Sequence, residues 1–396
     1  MRPGRAPPSS MAKPAGVYDA LVVGGGLNGL ASLYHLARLG ARRLGLLERF
    51  RLGHDRGSSH GAARITRSAY AKAVYARLMQ HLHAEEWPRL EREAGARLVH
   101  PNPGCFFGPP GDAIQKYAAA VREAGARVDW LTPAEGRRRF PQFRFEGAAG
   151  VLLDHTAGAI DAPAALAALA RLARRGGAEI FEETPVLRID PLRAPIEVET
   201  ARGLFRAERL VVAAGAWAGE LLPFLKARLR PARQTVAYFH PEGRAEDYRI
   251  GRFPVWVYLG EEENDHYYGM PEFGREGIKV ARHLAQEIED DPEEVLGEAD
   301  PARIEELRAF LAREFTAPPR RLAGWEHCLY TNTATEDFLL DLHPENPRIA
   351  VGAGFSGHGF KFGPLTGRVL AELVLNGRTS VPEFERAREA FSLAGP

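Results

Sequence analysis

The stretch YDALVVGGGLNGLASLYHLARLGARRLGLLE, residues 18–48, decides the fold. Tyr18 to Val23 is a short apolar run that flows into Gly24-Gly25-Gly26-Leu27-Asn28-Gly29. Beyond it Leu27, Leu30, Ala31, Tyr34 and Leu39 recur at helical spacing, and Gly40 is placed to end the helix. A second apolar run, Leu44 to Leu47, ends at Glu48, 19 residues past Gly29. The order is strand, glycine turn, helix, strand, acid. In that order Gly24, Gly26 and Gly29 permit a tight turn and let a pyrophosphate approach the helix N-terminus, while Glu48 is placed to hydrogen-bond ribose hydroxyls. Dinucleotide binding is the expectation.

After this unit comes Gly57-Ser58-Ser59-His60-Gly61-Ala62-Ala63-Arg64-Ile65-Thr66-Arg67, which by itself reads as a solvated basic turn. A helix follows with Val74, Leu78 and Leu82 on one face and Pro88 interrupting it. From about Val99 to Ala159 the pattern changes to short strands, turns and two helices, one opened by the capping box Thr132-Pro133-Ala134-Glu135. Asp161 caps an Ala/Leu helix (Leu166, Leu169, Leu172) that stops at Gly176-Gly177. Strand-like segments follow at Glu179 to Phe181, Val186 to Ile189 and Ile196 to Glu199, and Leu210 to Trp217 is a buried strand running into small residues at Gly215. From Arg233 to Lys279 aromatic alternation predicts antiparallel sheet. Glu287 to Glu298 reads as a solvated acidic segment, and Asp300-Pro301 opens an amphipathic helix with Ile304, Leu307 and Leu311 facing inward.

The expected fold is therefore α/β: a Rossmann-like nucleotide domain plus an α+β substrate domain with a large, mainly antiparallel sheet. The nucleotide domain takes residues 16–95, 160–232 and 325–396, and the substrate domain takes 96–159 and 233–324. Residues 1–15, rich in Pro, Arg and Ser, read as a disordered tail, with Met11 as an alternative start.

Composition excludes several functions. A formal net charge of +1 gives no global field for nucleic acid or anionic membrane. No apolar run reaches the roughly 18 residues of a membrane span. Cys105 and Cys328 are too few for a disulfide framework and point to a reducing cytoplasm; Cys105 reads as a buried structural thiol. Only six of the 52 basic residues are lysine. Lys279 and Lys361 stand in apolar or glycine-rich settings, where a compact, titratable ammonium has a specific use.

Three stretches carry a resemblance: the GSSHGAARITR loop, the Tyr267-Tyr-Gly … Gly277-Ile-Lys-Val-Ala-Arg-His283 segment, and the run CLYTNT … DLHP … GFSGHGFKF that begins at Cys328. From Val17 to about Val381 the chain resembles the monomeric sarcosine oxidase family, with N-methyltryptophan oxidase and pipecolate oxidase as relatives, in the D-amino-acid-oxidase-like flavoprotein group. The resemblance implies FAD, bound covalently from the Cys328 sulfur to the 8α carbon of the flavin (an 8α-S-cysteinyl link). It places Val186, Gly215, Gly354, Gly357, Gly359, His60, Arg64 and Lys361 along the cofactor beside Gly24, Gly26, Gly29 and Glu48. Arg64 and Lys279 would flank the side of the ring where oxygen reacts. Arg67 and Lys361 would hold the substrate carboxylate, and Tyr268, Tyr330, His283 and His358 would line the pocket.

The implied reaction is oxidation of sarcosine or a similar N-methyl amino acid by O₂, giving an imine that water hydrolyses, and H₂O₂. A cyclic or bulkier secondary amino acid (pipecolate, proline, N-methyltryptophan) and a dehydrogenase that does not use O₂ are the alternatives. Paired cations suit the carboxylate, and aromatic walls near cations disfavour a protonated amine, so no dedicated general base is required and no carboxylate stands out as one. A monomer is expected, with no metal. The loop departs from the family pattern: Ser59 stands for the first of two histidines, and Ala62-Ala63 for Asp-Thr.

Overall fold

The structure is a computed structural model that describes residues 16–262, 265–283, 287–288, 292, 300–319 and 321–394. The expected tail at 1–15 and most of the acidic run from 287 to 298 lie outside the described residues. The apolar runs that open the chain become the centre of a six-stranded sheet in the order Glu179–Phe181, Leu44–Leu47, Ala20–Val23, Leu210–Val212, Asn346–Ala353, Leu339–His343. Its first five strands are parallel and the last is antiparallel. Every residue of Ala20–Val23 and Leu44–Leu47 is buried, as parallel strands covered on both faces must be.

The glycine turn is sterically demanded at two of its positions. Gly24 has φ +103°, and a Cβ there would strike the Ala213 carbonyl; a Cβ at Gly29 would strike the carbonyl of Gly24. The helix Leu27–Arg38 then packs along Gly363–Asn376 near the C-terminus, where a Cβ on Gly367 would collide with Ala31 and the Ser32 amide. The Thr366 hydroxyl donates to Asn28 Oδ1 at 2.5 Å across the same contact. We expect Gly367→Val to destabilise the fold by about 2 kcal/mol through overpacking. Thermal unfolding checks this, and an unchanged Tm would show that the two helices can part at no cost.

The second large sheet has nine strands. Arg230–Phe239 pairs with Ile278–His283 on one side and with Leu322–Asn332 on the other, all antiparallel. His266–Met270, Val255–Leu259, Gly104–Gly108, Gly150–Asp154 and Val128–Leu131 continue it, with one parallel pair between Val255–Leu259 and Gly104–Gly108. The boundary expected at residue 325 thus falls inside a strand of this sheet. Likewise Val186–Asp190 joins Ile196–Thr200, Gly203–Ala207 and Val17–Tyr18 in a separate four-stranded sheet, while Ala63–Thr66, Gly158–Asp161 and Val99–Pro101 form a third small one.

Local signals hold where capping is explicit. Asp161 accepts from the Ala164 amide at 2.9 Å, Asp300 accepts from Ala302 at 2.9 Å, and the Thr132–Glu135 capping box forms. Pro88 differs from expectation. The helix Ala73–His81 widens into a π turn at Leu82–Glu86 and continues as Trp87–Ala94, so the proline enters a new first turn, where its missing N–H costs nothing. His81, Glu85 and Glu86 converge at this π turn with metal-like spacing. Arg89 and Arg368 each already hold Glu86 at 2.7 Å, so the cluster reads as an ion-pair network.

Candidate active site

One long cleft runs between the parallel sheet and the large antiparallel sheet, about 2130 Å³ with its open mouth included. At one end it is lined by Gly24–Asn28, Glu48, Val186, Gly215 and Trp217. Glu48 accepts from the Gly25 and Phe50 amides at 2.5 and 2.7 Å, which fixes its carboxylate at the strand end. Ser59 is no passive replacement, because its hydroxyl accepts from the Leu27 amide at 3.1 Å and ties the basic loop to the helix N-terminus.

At the other end the loop Gly354–Lys361 faces strand Leu322–Asn332 and the basic loop. Cys328 is buried on that strand; burial pushes its thiol up, and Arg64 and Lys279 pull it back. Arg64 spans its own loop, donating to the carbonyls of Ser58 at 3.0 Å and His60 at 2.5 Å, with its guanidinium 5.2 Å from the Phe360 ring. Lys279 is 5% exposed and donates to the Ala63 carbonyl at 3.3 Å. Burial, then the Arg64 charge, bring its pKa down to about 8, against the opposing pull of Glu326 and Cys328.

Arg67 and Lys361 meet at Tyr70. The guanidinium lies 4.0 Å from that ring centroid and the ammonium 5.6 Å from it. Arg67 also donates to the Ala69 carbonyl, and Lys361 to the His358 carbonyl at 2.9 Å. Burial, then Arg67 and Arg64, hold the Lys361 pKa well below the usual lysine range. Two mutually repelling cations in a desolvated site are costly unless an anion joins them.

Beside them the Tyr268 and Tyr330 hydroxyls stand 3.3 Å apart, with the His283 ring 6.3 and 5.7 Å from the two tyrosine rings. Burial, then His266, Arg67 and Lys361, bring the His283 pKa down to about 3, so this imidazole is neutral at ordinary pH. His358 packs 4.6 Å from Phe338 and 5.1 Å from Tyr75, and its Nε2 donates to the Glu336 carbonyl at 3.1 Å.

Two expected contact residues do not line the cleft. Gly29 sits inside the first helical turn, where its lack of a Cβ serves the Gly24 carbonyl rather than a ligand. His60 turns away, its Nε2 donating to the His327 carbonyl at 2.6 Å. Several cleft residues were not singled out in the sequence, among them Tyr117, Thr331 and Glu326. Glu326 lies beside the cations, and the only signal was its position two residues before Cys328 on a strand, which puts both on one face.

A mostly parallel sheet with a glycine turn and an acid at the end of its second strand, opening through one cleft onto a cationic pocket under a second sheet, is the arrangement of a dinucleotide-dependent oxidoreductase. The chain belongs to the DAO family of FAD-dependent oxidoreductases, whose model matches residues 19–373. It is 33% identical over 369 residues to the monomeric sarcosine oxidase of Bacillus sp. (strain B-0618), covering 91% of this chain and 93% of that protein. It is 34% identical over 371 residues to human peroxisomal sarcosine oxidase, covering 92% and 93%. Among solved structures the open form of NikD, an amino acid oxidase of nikkomycin biosynthesis, matches with a TM-score of 0.80 at 27% identity, over 95% of this chain and 97% of that one.

FAD fits the cleft on this structure's own terms. The glycine turn keeps backbone close to the cleft, the helix Leu27–Arg38 has no acid in its first turn, and the buried Thr331 Oγ1 and His358 Nδ1 find no partner among the described residues. No described helix is long and apolar enough to cross a membrane.

Proposed function

We propose that this FAD-dependent amine oxidase oxidises the C–N bond of sarcosine or a similar N-methyl amino acid, with O₂ as acceptor. The products are H₂O₂ and an imine, which water hydrolyses to an aldehyde and the demethylated amine. The observation that carries the reading is the convergence of Arg67 and Lys361 on Tyr70, with no salt bridge to either among the described residues. A substrate carboxylate supplies the missing anion, taken by the planar fork of Arg67 and the point charge of Lys361.

Held in the cleft by Gly24–Asn28 and Glu48, FAD would supply the acceptor for a hydride equivalent from the carbon next to the substrate nitrogen. The protein's part is to present that carbon with the nitrogen lone pair free. Tyr268, Tyr330 and neutral His283 offer an uncharged wall, and the nearby cations disfavour an ammonium. Cys328 is the residue we assign to the 8α-S-cysteinyl link, with Arg64 and Lys279 favouring its thiolate. Lys279, held against Ala63 beside Arg64, is placed to stabilise anionic oxygen species, and His358 supports Lys361 from behind. Two cysteines with no disulfide between them suit a reducing cytoplasm.

A panel of sarcosine, pipecolate, proline and N-methyltryptophan, read by peroxide formation, tests the activity. Turnover without peroxide on an artificial electron acceptor would move the assignment to a dehydrogenase. Peroxide with pipecolate or proline alone would move the substrate to cyclic amines. Arg67→Met should lower kcat/KM by about 100-fold, the loss of two charge-assisted hydrogen bonds to a carboxylate. An Arg67→Met enzyme with native KM would refute the clamp.

A further inference from the structure

The cationic wall of the cleft contains one carboxylate that the proposed reaction does not use. Glu326 sits on strand Leu322–Asn332, facing Val236 across the pair, with Cys328 two residues on. Its Oε1 accepts from the Tyr238 hydroxyl at 2.6 Å, and its Oε2 from Arg275 Nη1 at 3.2 Å. Arg275 also stacks 4.2 Å from the Tyr238 ring, so the three side chains form a closed knot. A Cβ on Gly61 would lie 2.8 Å from Glu326 Oε1 and 3.2 Å from Arg64 Nη1, so carboxylate and guanidinium both crowd the space beside one glycine. Lys279 stands opposite Tyr238 on the neighbouring strand.

We infer that Glu326 is a positioning residue: it holds the Arg64, Arg275 and Lys279 cations together at the cleft wall and keeps the Lys279 ammonium charged there. This rests on the proposed role of Lys279. The groups facing Lys279 are Arg64 from the basic loop, Arg275 from the turn before its own strand, Tyr238 from the middle strand, and Glu326 and Cys328 from the next. Glu326 is the one carboxylate in this set, and four of its neighbours, Lys279, Arg64, Arg275 and His60, are cations or can become one. Burial works to raise the Glu326 pKa, but Lys279, the Tyr238 hydroxyl, Arg64 and His60 outweigh it and hold the carboxyl below its ordinary range. A buried cation group without this counter-charge would shed a proton, and Lys279 is the member able to do so.

The scarcity of lysine makes the test direct. With only six lysines, the FAD-loaded protein labelled with carbon-13 at lysine Cε gives few NMR signals, and Lys279→Met identifies the one that matters. Glu326→Gln keeps an oxygen for the Tyr238 hydroxyl and removes the charge. It should lower the Lys279 titration midpoint by about one pH unit or more. Arg275→Met removes a cation and should raise the midpoint. A midpoint that stays in place in Glu326→Gln, or that falls in Arg275→Met, overturns the inference, and either variant decides it if the other does not fold. Reoxidation of Lys279→Met by O₂ tests the underlying reading separately. Native reoxidation there removes the oxidase role of Lys279, while the NMR midpoints still decide what Glu326 does.

Discussion

Lys279→Met should slow reoxidation of the reduced enzyme by O₂ by about 100- to 1,000-fold while leaving reduction by the amine within a few-fold of native. The argument is electrostatic. O₂ reduction passes through an anion, and a fixed charge in a site 5% exposed stabilises it without the reorganisation that water would need. Methionine keeps the volume and removes the charge. Stopped-flow reoxidation checks this, with anaerobic reduction as the internal control. The pH dependence has a defined sign. Burial and Arg64 place the Lys279 pKa at about 8, so the charged form dominates below that value. Reoxidation should be fast and flat below pH 8 and fall as pH rises through it. Equal slowing of both half-reactions would point to a disturbed fold and sink the specific role.

Cys328→Ser should release all flavin from acid-precipitated protein, whereas the native pellet should stay yellow and carry the mass of one FAD. Cys105→Ser should keep the flavin in the pellet, because Cys105 lies fully buried within the substrate-domain core and away from the cleft lining. The two thiols differ in their surroundings. Burial raises both, but Cys328 has Arg64 and Lys279 beside it, while Cys105 is opposed by Arg139. A colourless native pellet, with FAD in the supernatant, would leave FAD as the cofactor and remove the covalent link.

Much of the nucleotide half was legible because its constraints are local. A run such as Ala20–Val23 is buried on both faces and reads as a continuous apolar segment, and Gly29 is forced by the Gly24 carbonyl five residues before it. Caps such as Asp161 and Asp300 are readable because the bond spans two or three residues. The small sheet around Val186–Asp190 and the assignment of Leu322–Asn332 to the large sheet were not legible. Strand pairing over about 90 residues of chain, as between Arg230–Phe239 and Leu322–Asn332, leaves no periodic signal that names the partner.

The sequence by itself determined the dinucleotide unit, the aromatic strands, the two lysines that line the cleft and, through resemblance, the flavin cofactor. Each follows from residue types whose meaning survives without coordinates: glycines for close approach, an acid at a strand end, a cysteine in a specific run. Only the tertiary structure decided that Arg67 and Lys361 share one tyrosine, that His60 faces a backbone carbonyl, and that Glu326 joins the cations. Charges and rings act over a few ångströms of space. Glu326 lies 47 residues from its neighbour Lys279 and 262 from Arg64, and their proximity exists only once the loop and the sheet have folded together.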